Sequence, residues 1–230
     1  MSTEKPVRVP APAHLRFTEN ASSFEGLDLR DRFEKIYKTN LWGSDESHSG
    51  TGSEIEQTAR VRAHIEGVIA RHGIRSMLDI PCGDFAWMRH TNLEGISYIG
   101  ADIVPALVEQ DEQRYGSAMR RFVSLDLTTD DLPTVDLVFC RDCLVHLCFE
   151  KIAAAMRNLK RSGSVWLLTT TFPQHDENHN ISDGDWRLLN FERAPFHFPE
   201  AEEVLNEGCT EEGGSYADKS LGLWRIELLP

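Results

Sequence analysis

An alternation of strand and helix signals runs through the chain from residue 73 onward, and it restricts the possible folds more than any other feature. Short apolar segments typical of buried strands lie at 76–80, 97–101, 121–125, 135–140 and 164–170. Segments with helical spacing lie between them, at 85–90, 105–115 and 149–160. Strands that alternate with helices form parallel sheets covered on both faces. We therefore predict a Rossmann-like, doubly wound α/β fold with a mostly parallel sheet and helices on both faces.

The remaining segments are assigned around this domain. Residues 1–25 mix proline, serine and acidic residues with few large apolar groups, which predicts a flexible N-terminal arm. Residues 26–72 carry helical spacing over 27–38 and from about 53 to 71, which predicts a helical lid or cap. The domain proper then spans 73–230. Within it, the polar stretch of about 172–215 is interpreted as a substrate-side insertion, and 223–229 as a late strand.

The amino-acid composition limits which partners and which cellular compartment we expect for this protein. The 230 residues are 40% hydrophobic, enough for one sizeable core. With 37 acidic against 24 basic residues, the formal charge of −13 repels phosphate backbones and anionic membrane surfaces, so we expect no nucleic acid and no membrane partner. Five cysteines form no even framework, and neither a signal peptide nor a membrane span is recognised. We expect a cytoplasmic protein, either a monomer or a homodimer.

The most informative motif is MLDIPCGDFAWM, residues 77–88, in which an apolar strand ends at Asp79 and turns through Gly83. In a parallel sheet, ligands bind at the carboxyl ends of the strands, and a glycine lets a ligand approach the backbone closely. Pro81 and Phe85 stand where a pyrophosphate-binding G-x-G-x-x-G turn would need small residues. A nicotinamide-dependent oxidoreductase is therefore a disfavoured alternative.

Two further acids follow the next strands, Asp102 in YIGAD and Asp126 in FVSLD. A carboxylate after the second strand can accept both hydroxyls of a ribose. Asp126 is placed to accept the exocyclic amine of adenine, with Leu127 against the ring. Each acid alone is commonly a turn former or helix cap. Their order along the chain predicts an adenosine site.

The segments LDIPCGDFAWM, YIGADI, SLDL and DLVFCRDCLVHL, with LWG and SGTGSE upstream, resemble class I S-adenosylmethionine-dependent methyltransferases of a bacterial small-molecule type. The resemblance covers about residues 42–147. It implies a seven-stranded sheet with a reversed hairpin at one edge, S-adenosylmethionine as cofactor and S-adenosylhomocysteine as product. Ser53 would lie at a helix start that receives the methionine carboxylate, and Trp42 would form part of a lid. The residues expected to bind the cofactor are Trp42, Ser53, Asp79, Pro81, Gly83, Asp102, Ile103, Asp126, Leu127, Cys140 and Arg141.

Candidate catalytic residues follow the fourth strand. On a helix, Asp142 and His146 would share one face, and an imidazole with an unperturbed pKa near 6.5 is suited to act as a base at neutral pH. His146 can equally be a core histidine tied to a carbonyl, and Asp142 a helix cap. Cys140, Cys143 and His146 also form a C-x2-C-x2-H pattern, but a structural zinc site needs a fourth ligand and no metal is assigned.

The acceptor is expected beside the fifth strand and the insertion. Thr171, His175, Trp186 and Arg187 are the candidate contacts, and a guanidinium among them would suit an acceptor with hydroxyl or carboxylate groups. The polar residues around His175 can also be a solvated loop. We predict methylation of an oxygen or nitrogen on a small polar acceptor that is sugar-like or natural-product-like. A non-catalytic adenosine-ligand-binding protein is the alternative from another class.

Overall fold

A seven-stranded sheet forms the centre of the computed structural model, which describes residues 8–230. The strand order is β3-β2-β1-β4-β5-β7-β6. All neighbouring pairs from β3 to β5 are parallel, and β7 is antiparallel to both β5 and β6. The strands are β1 (Ser76–Asp79), β2 (Ser97–Asp102), β3 (Arg120–Ser124), β4 (Leu137–Cys140), β5 (Trp166–Thr171), β6 (Glu203–Asn206) and β7 (Ser220–Arg225). The predicted fold class is confirmed, including the reversed strand near one edge.

Helices cover both faces of this sheet. They are α1 (Pro12–Glu19), α2 (Leu29–Lys38), α3 (Ala59–His72), α4 (Pro105–Tyr115), α5 (Phe149–Ser162) and a single irregular turn, α6 (Glu211–Gly214). Val61, Ile65 and Val68 of α3 pack with Val108 of α4 in one buried cluster. Ile152 and its neighbours on α5 pack in another cluster. The sheet therefore lies between two apolar layers.

Successive side chains of a strand enter opposite layers. Met77 packs with α3 and α4, whereas the next residue, Leu78, packs with α5. Leu167 and Leu168 of β5 divide in the same way. Strand side chains alternate between faces, so a strand covered on both sides needs apolar residues at every position. This is why the central strands appear in the sequence as unbroken apolar runs.

The ends of α3 and α5 lead directly into the strands that follow them. Gly73 and Gly163 follow α3 and α5 in the left-handed conformation, with φ of 64° and 70°, and β1 and β5 begin three residues later in each case. Asp28 caps α2 by accepting a hydrogen bond from Asp31 N at 2.9 Å. These local signals determine where α3 and α5 end and where α2 begins.

Five segments differ from their sequence-based predictions. Residues 1–7 of the expected arm lie outside the described residues, but α1 and a 3-10 turn at Ala21–Phe24 follow, because Phe17 and Phe24 are buried and stack at 4.9 Å. The predicted helix at 85–90 is only a 3-10 turn, since Phe85 has a φ of 54°. The helix expected from Ser53 begins at Ala59. The late strand spans 220–225 rather than 223–229, and β6 was missed inside the expected insertion.

None of the helices within residues 8–230 combines the length and the apolar character needed to cross a bilayer.

Candidate functional site

A cavity of about 1070 Å³ lies at the carboxyl ends of β1 to β4. We call it the main cavity. The segment that follows each of these strands contributes to its wall, and α2 closes the top with Leu29, Phe33 and Tyr37. Eleven of the residues predicted for the site line this cavity: Trp42, Ser53, Pro81, Gly83, Asp102, Ile103, Asp126, Leu127, Arg141, Asp142 and His146. The strand ends thus bring together residues that are as much as 104 positions apart, from Trp42 to His146.

Asp102 is the most buried carboxylate of the cavity wall. Its Oδ1 accepts a hydrogen bond from Val104 N at 3.0 Å, and its Oδ2 accepts one from Gly83 N at 3.3 Å. Burial raises the pKa of Asp102 to about 6, although these backbone donors oppose the shift. The group is therefore mostly ionised at neutral pH and fixed in orientation, with further lone pairs available to a ligand that donates hydrogen bonds.

The turn after β1 explains the unusual D-x-P-x-G-x-F pattern. Gly83 has a φ of 58°, and a Cβ atom there would collide with Ser49 Oγ. Phe85 turns away from the cavity into the core, where its ring lies 5.3 Å from Tyr98 and 5.1 Å from Phe122. The bulky residue therefore leaves room for a ligand, and the glycine is required by a close approach of two chain segments.

Asp79 lies beneath this turn and does not line the main cavity. It is 2% exposed, and the Tyr98 hydroxyl donates to its Oδ2 at 2.5 Å. Burial raises the pKa of Asp79 to about 8. Asp79 was predicted to bind the cofactor directly, but its position supports the turn instead.

Asp126 lines the main cavity just after β3. Thr128 donates to Asp126 Oδ1 through its amide at 2.7 Å and through its hydroxyl at 2.6 Å. No described residue makes a hydrogen bond to Oδ2 of Asp126, and Leu127 follows it on the cavity wall. A ligand group that donates a hydrogen bond could therefore be accepted at this carboxylate.

A second cavity, of about 780 Å³, adjoins the main one. We call it the side cavity. Its wall includes Phe172, Trp186 and Tyr216 together with residues of α1, α6 and the turn at Thr51–Ser53. Four residues belong to both cavities: Trp42, Ser49, Asp142 and His146. They form a shared wall, so a group bound in one cavity could meet a group bound in the other.

His146 is a buried histidine in this shared wall. Its Nδ1 lies 2.7 Å from the carbonyl oxygen of Asp185, so Nδ1 must carry the proton in that hydrogen bond, and Nε2 has no hydrogen-bond partner among the described residues. Its ring lies 4.7 Å from that of Trp42. Burial lowers the pKa of His146 to about 4, below the value near 6.5 expected from the sequence. The residue is therefore neutral at pH 7, with a free lone pair on Nε2.

Trp42 contributes an unsatisfied donor to the same wall. Its indole Nε1 is buried and finds no hydrogen-bond partner among the described residues. Buried polar groups are nearly always paired, so an orphaned donor in a cavity wall indicates a missing partner. A ligand atom that accepts a hydrogen bond would satisfy it.

Asp142 belongs to a buried network of charges. Lys219 Nζ lies 2.6 Å from Asp142 Oδ2, and Thr170 Oγ1 donates to Oδ1 at 3.3 Å. Lys219 and the neighbouring Arg141 hold the pKa of Asp142 well below its usual range, in spite of its burial. Arg141 in turn pairs with Glu207 at 2.8 Å. Asp142 is therefore a permanent carboxylate and is not on a helix with His146, because only a 3-10 turn at Leu144–His146 follows.

Four other predicted residues lie outside both cavities. Cys140 is fully buried in the core, and Thr171 is buried at the end of β5. His175 has a buried, unpartnered Nε2. Arg187 is 1% exposed and donates to the carbonyl oxygens of Leu144 and Leu147 at 2.9 and 2.6 Å. Of the predicted acceptor contacts, only Trp186 lines a cavity. Within residues 8–230, no three His, Cys, Asp or Glu side chains are grouped so that they could hold a metal ion.

Several cavity residues were missed by sequence reasoning. Lys219 and Glu211 approach Asp142 and Thr51 only after β6 and β7 have paired, and the sequence separations of 77 and 160 residues leave no local signal. Tyr37 and Phe33 were assigned to the amphipathic helix but not to the site. Their spacing on one face of α2 could have indicated a buried face that covers the strand ends.

The sheet order with a reversed β7, together with a cavity over the ends of β1 to β4, defines the class I methyltransferase fold. Residues 78–165 match the family model described as a methyltransferase domain. Residues 78–165 therefore form a methyltransferase domain, and the chain has the fold of the class I S-adenosylmethionine-dependent methyltransferases.

Solved structures share this fold. The chain is similar to the 1,6-didemethyltoxoflavin-N1-methyltransferase of Burkholderia thailandensis, at 15% identity and a TM-score of 0.58, over 96% of this chain and 93% of that one. It is also similar to PigF, at 17% identity and a TM-score of 0.60, over 93% of this chain and 66% of PigF. The methyltransferase domain of bacterial CtHen1 aligns at 12% identity and a TM-score of 0.55, over 75% of this chain and 98% of that one. A comparison with curated proteins finds no match.

Proposed function

We propose that the main cavity binds S-adenosylmethionine, that the side cavity binds a small polar acceptor, and that a methyl group passes between them at the shared wall. The observation that carries this proposal is the pair of adjoining cavities with Trp42, Ser49, Asp142 and His146 in common. The Burkholderia enzyme named above has a small heterocycle and S-adenosylhomocysteine bound. An oxygen or nitrogen of a sugar-like or natural-product-like molecule is the proposed methyl acceptor.

The residues of the main cavity fit this cofactor. The Asp102 carboxylate, held by Gly83 N and Val104 N, can accept the two ribose hydroxyls. Asp126 can accept the exocyclic amine of adenine while Leu127 packs on the ring. The unpartnered Trp42 Nε1 can donate to the methionine carboxylate, next to Ser53. Pro81 and Ile103 supply apolar contacts on either side, and Arg141 closes the wall below.

Bound S-adenosylmethionine supplies an electrophilic methyl group whose bond to sulfur breaks as the bond to the acceptor forms, and S-adenosylhomocysteine leaves. His146 Nε2 has a free lone pair at pH 7 and can take the proton that the acceptor oxygen or nitrogen loses. Asp142, kept ionised by Lys219, can hold the acceptor by accepting a hydrogen bond. The rings of Trp42 and His146 exclude water from this point.

Calorimetric titration with S-adenosylhomocysteine tests the cofactor site. We expect binding to the wild-type protein and at least about tenfold weaker binding to Asp102→Ala, because hydrogen bonds to a buried charge are lost. Asp102→Asn keeps the shape and should lie between the two. Asp131→Ala is the matched control, since the Asp131 side chain is fully exposed and should leave the affinity unchanged. Failure of the wild-type protein to bind, or preference for NADH in a parallel titration, would contradict the proposal.

The proposed setting is the reducing cytoplasm, with the protein acting as a monomer or homodimer on a free small molecule. The five cysteines are free thiols, and the charge of −13 opposes association with nucleic acid.

A further inference from the structure

We infer that the acceptor is an aromatic or heteroaromatic molecule that carries a positively charged amine, recognised by aromatic rings and a pair of carboxylates in the side cavity. This inference rests on the function proposed above and narrows its substrate class. It replaces the expectation of a carboxylate-bearing acceptor.

Aromatic side chains supply most of the apolar wall of the side cavity. Trp186 lies 5.0 Å from Tyr216 and 6.0 Å from Phe172, measured between ring centroids, and both pairs meet edge to face. Trp42 and His146 add two more rings at the shared wall. Rings held by one another keep fixed orientations, and aromatic ligands gain from offset or edge-to-face contacts with them. A planar ring therefore matches this wall better than a sugar or an aliphatic chain does.

The charges of the side cavity favour a cation. Lys219 and Asp142 neutralise each other at 2.6 Å, which leaves Glu211, Glu212 and Arg16. Arg16 is exposed at the surface. Glu212 has no side-chain hydrogen-bond partner among the described residues, and its burial and the charge of Glu211 raise its pKa against the opposing charge of Lys219. An ammonium group next to these two carboxylates would relieve their repulsion, whereas a carboxylate would increase it.

Arg187, which the sequence suggested as a contact for an acidic acceptor, is not available to bind one. The guanidinium of Arg187 is committed to the carbonyl oxygens of Leu144, Leu147 and His179. Its role is to hold the 3-10 turn that positions His146. The amine of the acceptor is thus directed to Glu212, and the atom to be methylated is directed to the shared wall.

Three probes of known chemistry test the inference by titration into protein saturated with S-adenosylhomocysteine. Tryptamine is aromatic and cationic, indole-3-propionate is aromatic and anionic, and 2-cyclohexylethylamine is cationic without an aromatic ring. We expect tryptamine to bind at least about tenfold more tightly than either of the others. Glu212→Gln should remove most of its advantage over indole-3-propionate, and Trp186→Leu most of its advantage over 2-cyclohexylethylamine.

The matched control is Glu227→Gln, because Glu227 is exposed on the 3-10 turn after β7, and it should leave both preferences intact. Equal or tighter binding of indole-3-propionate, or preferences that persist in Glu212→Gln and Trp186→Leu, would overturn the inference alone. Failure of S-adenosylhomocysteine to bind the wild-type protein would overturn the proposed function and this inference together. The two failures are thus distinguished by the first titration.

Discussion

At the scale of single residues, the buried ionisable groups around the main cavity lie in different electrostatic environments. Asp142 is surrounded by cations and stays ionised. Among the described residues, the side chain of Asp79 has the Tyr98 hydroxyl as its one hydrogen-bond partner, so burial dominates and its pKa rises from 3.8 to about 8. His146, also dominated by burial, stays neutral. The same desolvation therefore keeps an acid protonated beneath the turn and leaves a base unprotonated at the shared wall.

Asp79→Asn should change how stability depends on pH. In the wild-type protein, the folded state binds the Asp79 proton more tightly than the unfolded state does. This difference in proton binding contributes on the order of 5 kcal/mol to the free energy of unfolding. The contribution is fully present below pH 3.8 and is lost as the pH rises through about 8. The asparagine cannot ionise but can still accept from Tyr98. We expect the free energy of unfolding of the variant to exceed that of the wild type at pH 8.5 and to converge towards it near pH 5, as measured by urea denaturation. If the free energies of unfolding of the two proteins changed in parallel between pH 5 and pH 8.5, the raised pKa of Asp79 would be contradicted.

At the scale of elements, residues 8–19 form an N-terminal strap over the side cavity. Arg8 makes two hydrogen bonds of 2.9 Å to the buried carboxylate of Asp218, and Tyr216 donates its hydroxyl to Val9 O. Farther along the strap, His14 Nδ1 lies 2.7 Å from Asp185 Oδ1. Asp185 also provides the carbonyl that holds His146. The strap is thus joined both to the aromatic wall and to the residue that orients the proposed base.

Arg8→Ala should loosen this strap. A bidentate pair between guanidinium and carboxylate is among the stronger hydrogen-bonded contacts, and its loss leaves Asp218 buried with only Gln174 N as donor from another segment. Amide exchange over residues 12–19 should become at least about tenfold faster in the variant, while exchange in β1 and β4 stays unchanged. Arg16→Ala, on α1 within the same strap, removes a long hydrogen bond to Leu41 O and serves as the control. Equal exchange in all three proteins would show that the pair does not fasten the strap.

At the scale of the whole molecule, the charge network joins the two halves of the sheet. Arg141 follows β4, Glu207 follows β6, and Lys219 precedes β7, so the network ties the parallel part to the reversed strand. Arg141 also donates to Gly52 O at 2.9 Å, which fixes the loop before α3. The wall that separates the cavities is therefore held by contacts between segments that are remote in sequence.

Glu207→Ala should destabilise the protein by about 3–5 kcal/mol, because the two buried cations Arg141 and Lys219 are then left with the single carboxylate of Asp142 between them. Guanidinium denaturation monitored by circular dichroism gives the measurement. Glu203→Ala is the matched control at the start of β6, the strand that Glu207 follows, since Glu203 pairs with the half-exposed Arg71 and its loss should cost no more than about 1 kcal/mol. Similar losses in the two variants would contradict a special role for the buried network.

The fold class and the residues at the ends of the parallel strands can be predicted from the amino-acid sequence. These follow from local causes, because unbroken apolar runs specify strands buried on both faces and an acid after each strand reaches the same rim. Asp102, Asp126 and Gly83 could therefore be predicted for the main cavity, whereas Trp42 was assigned from the family resemblance. The folded contacts alone show that Phe85 turns into the core, that Lys219 neutralises Asp142, and that Arg187 supports a turn. Those outcomes depend on which distant segments come into contact and on how much water these contacts exclude. The spacing of residues along the chain specifies neither the contacts nor the excluded water.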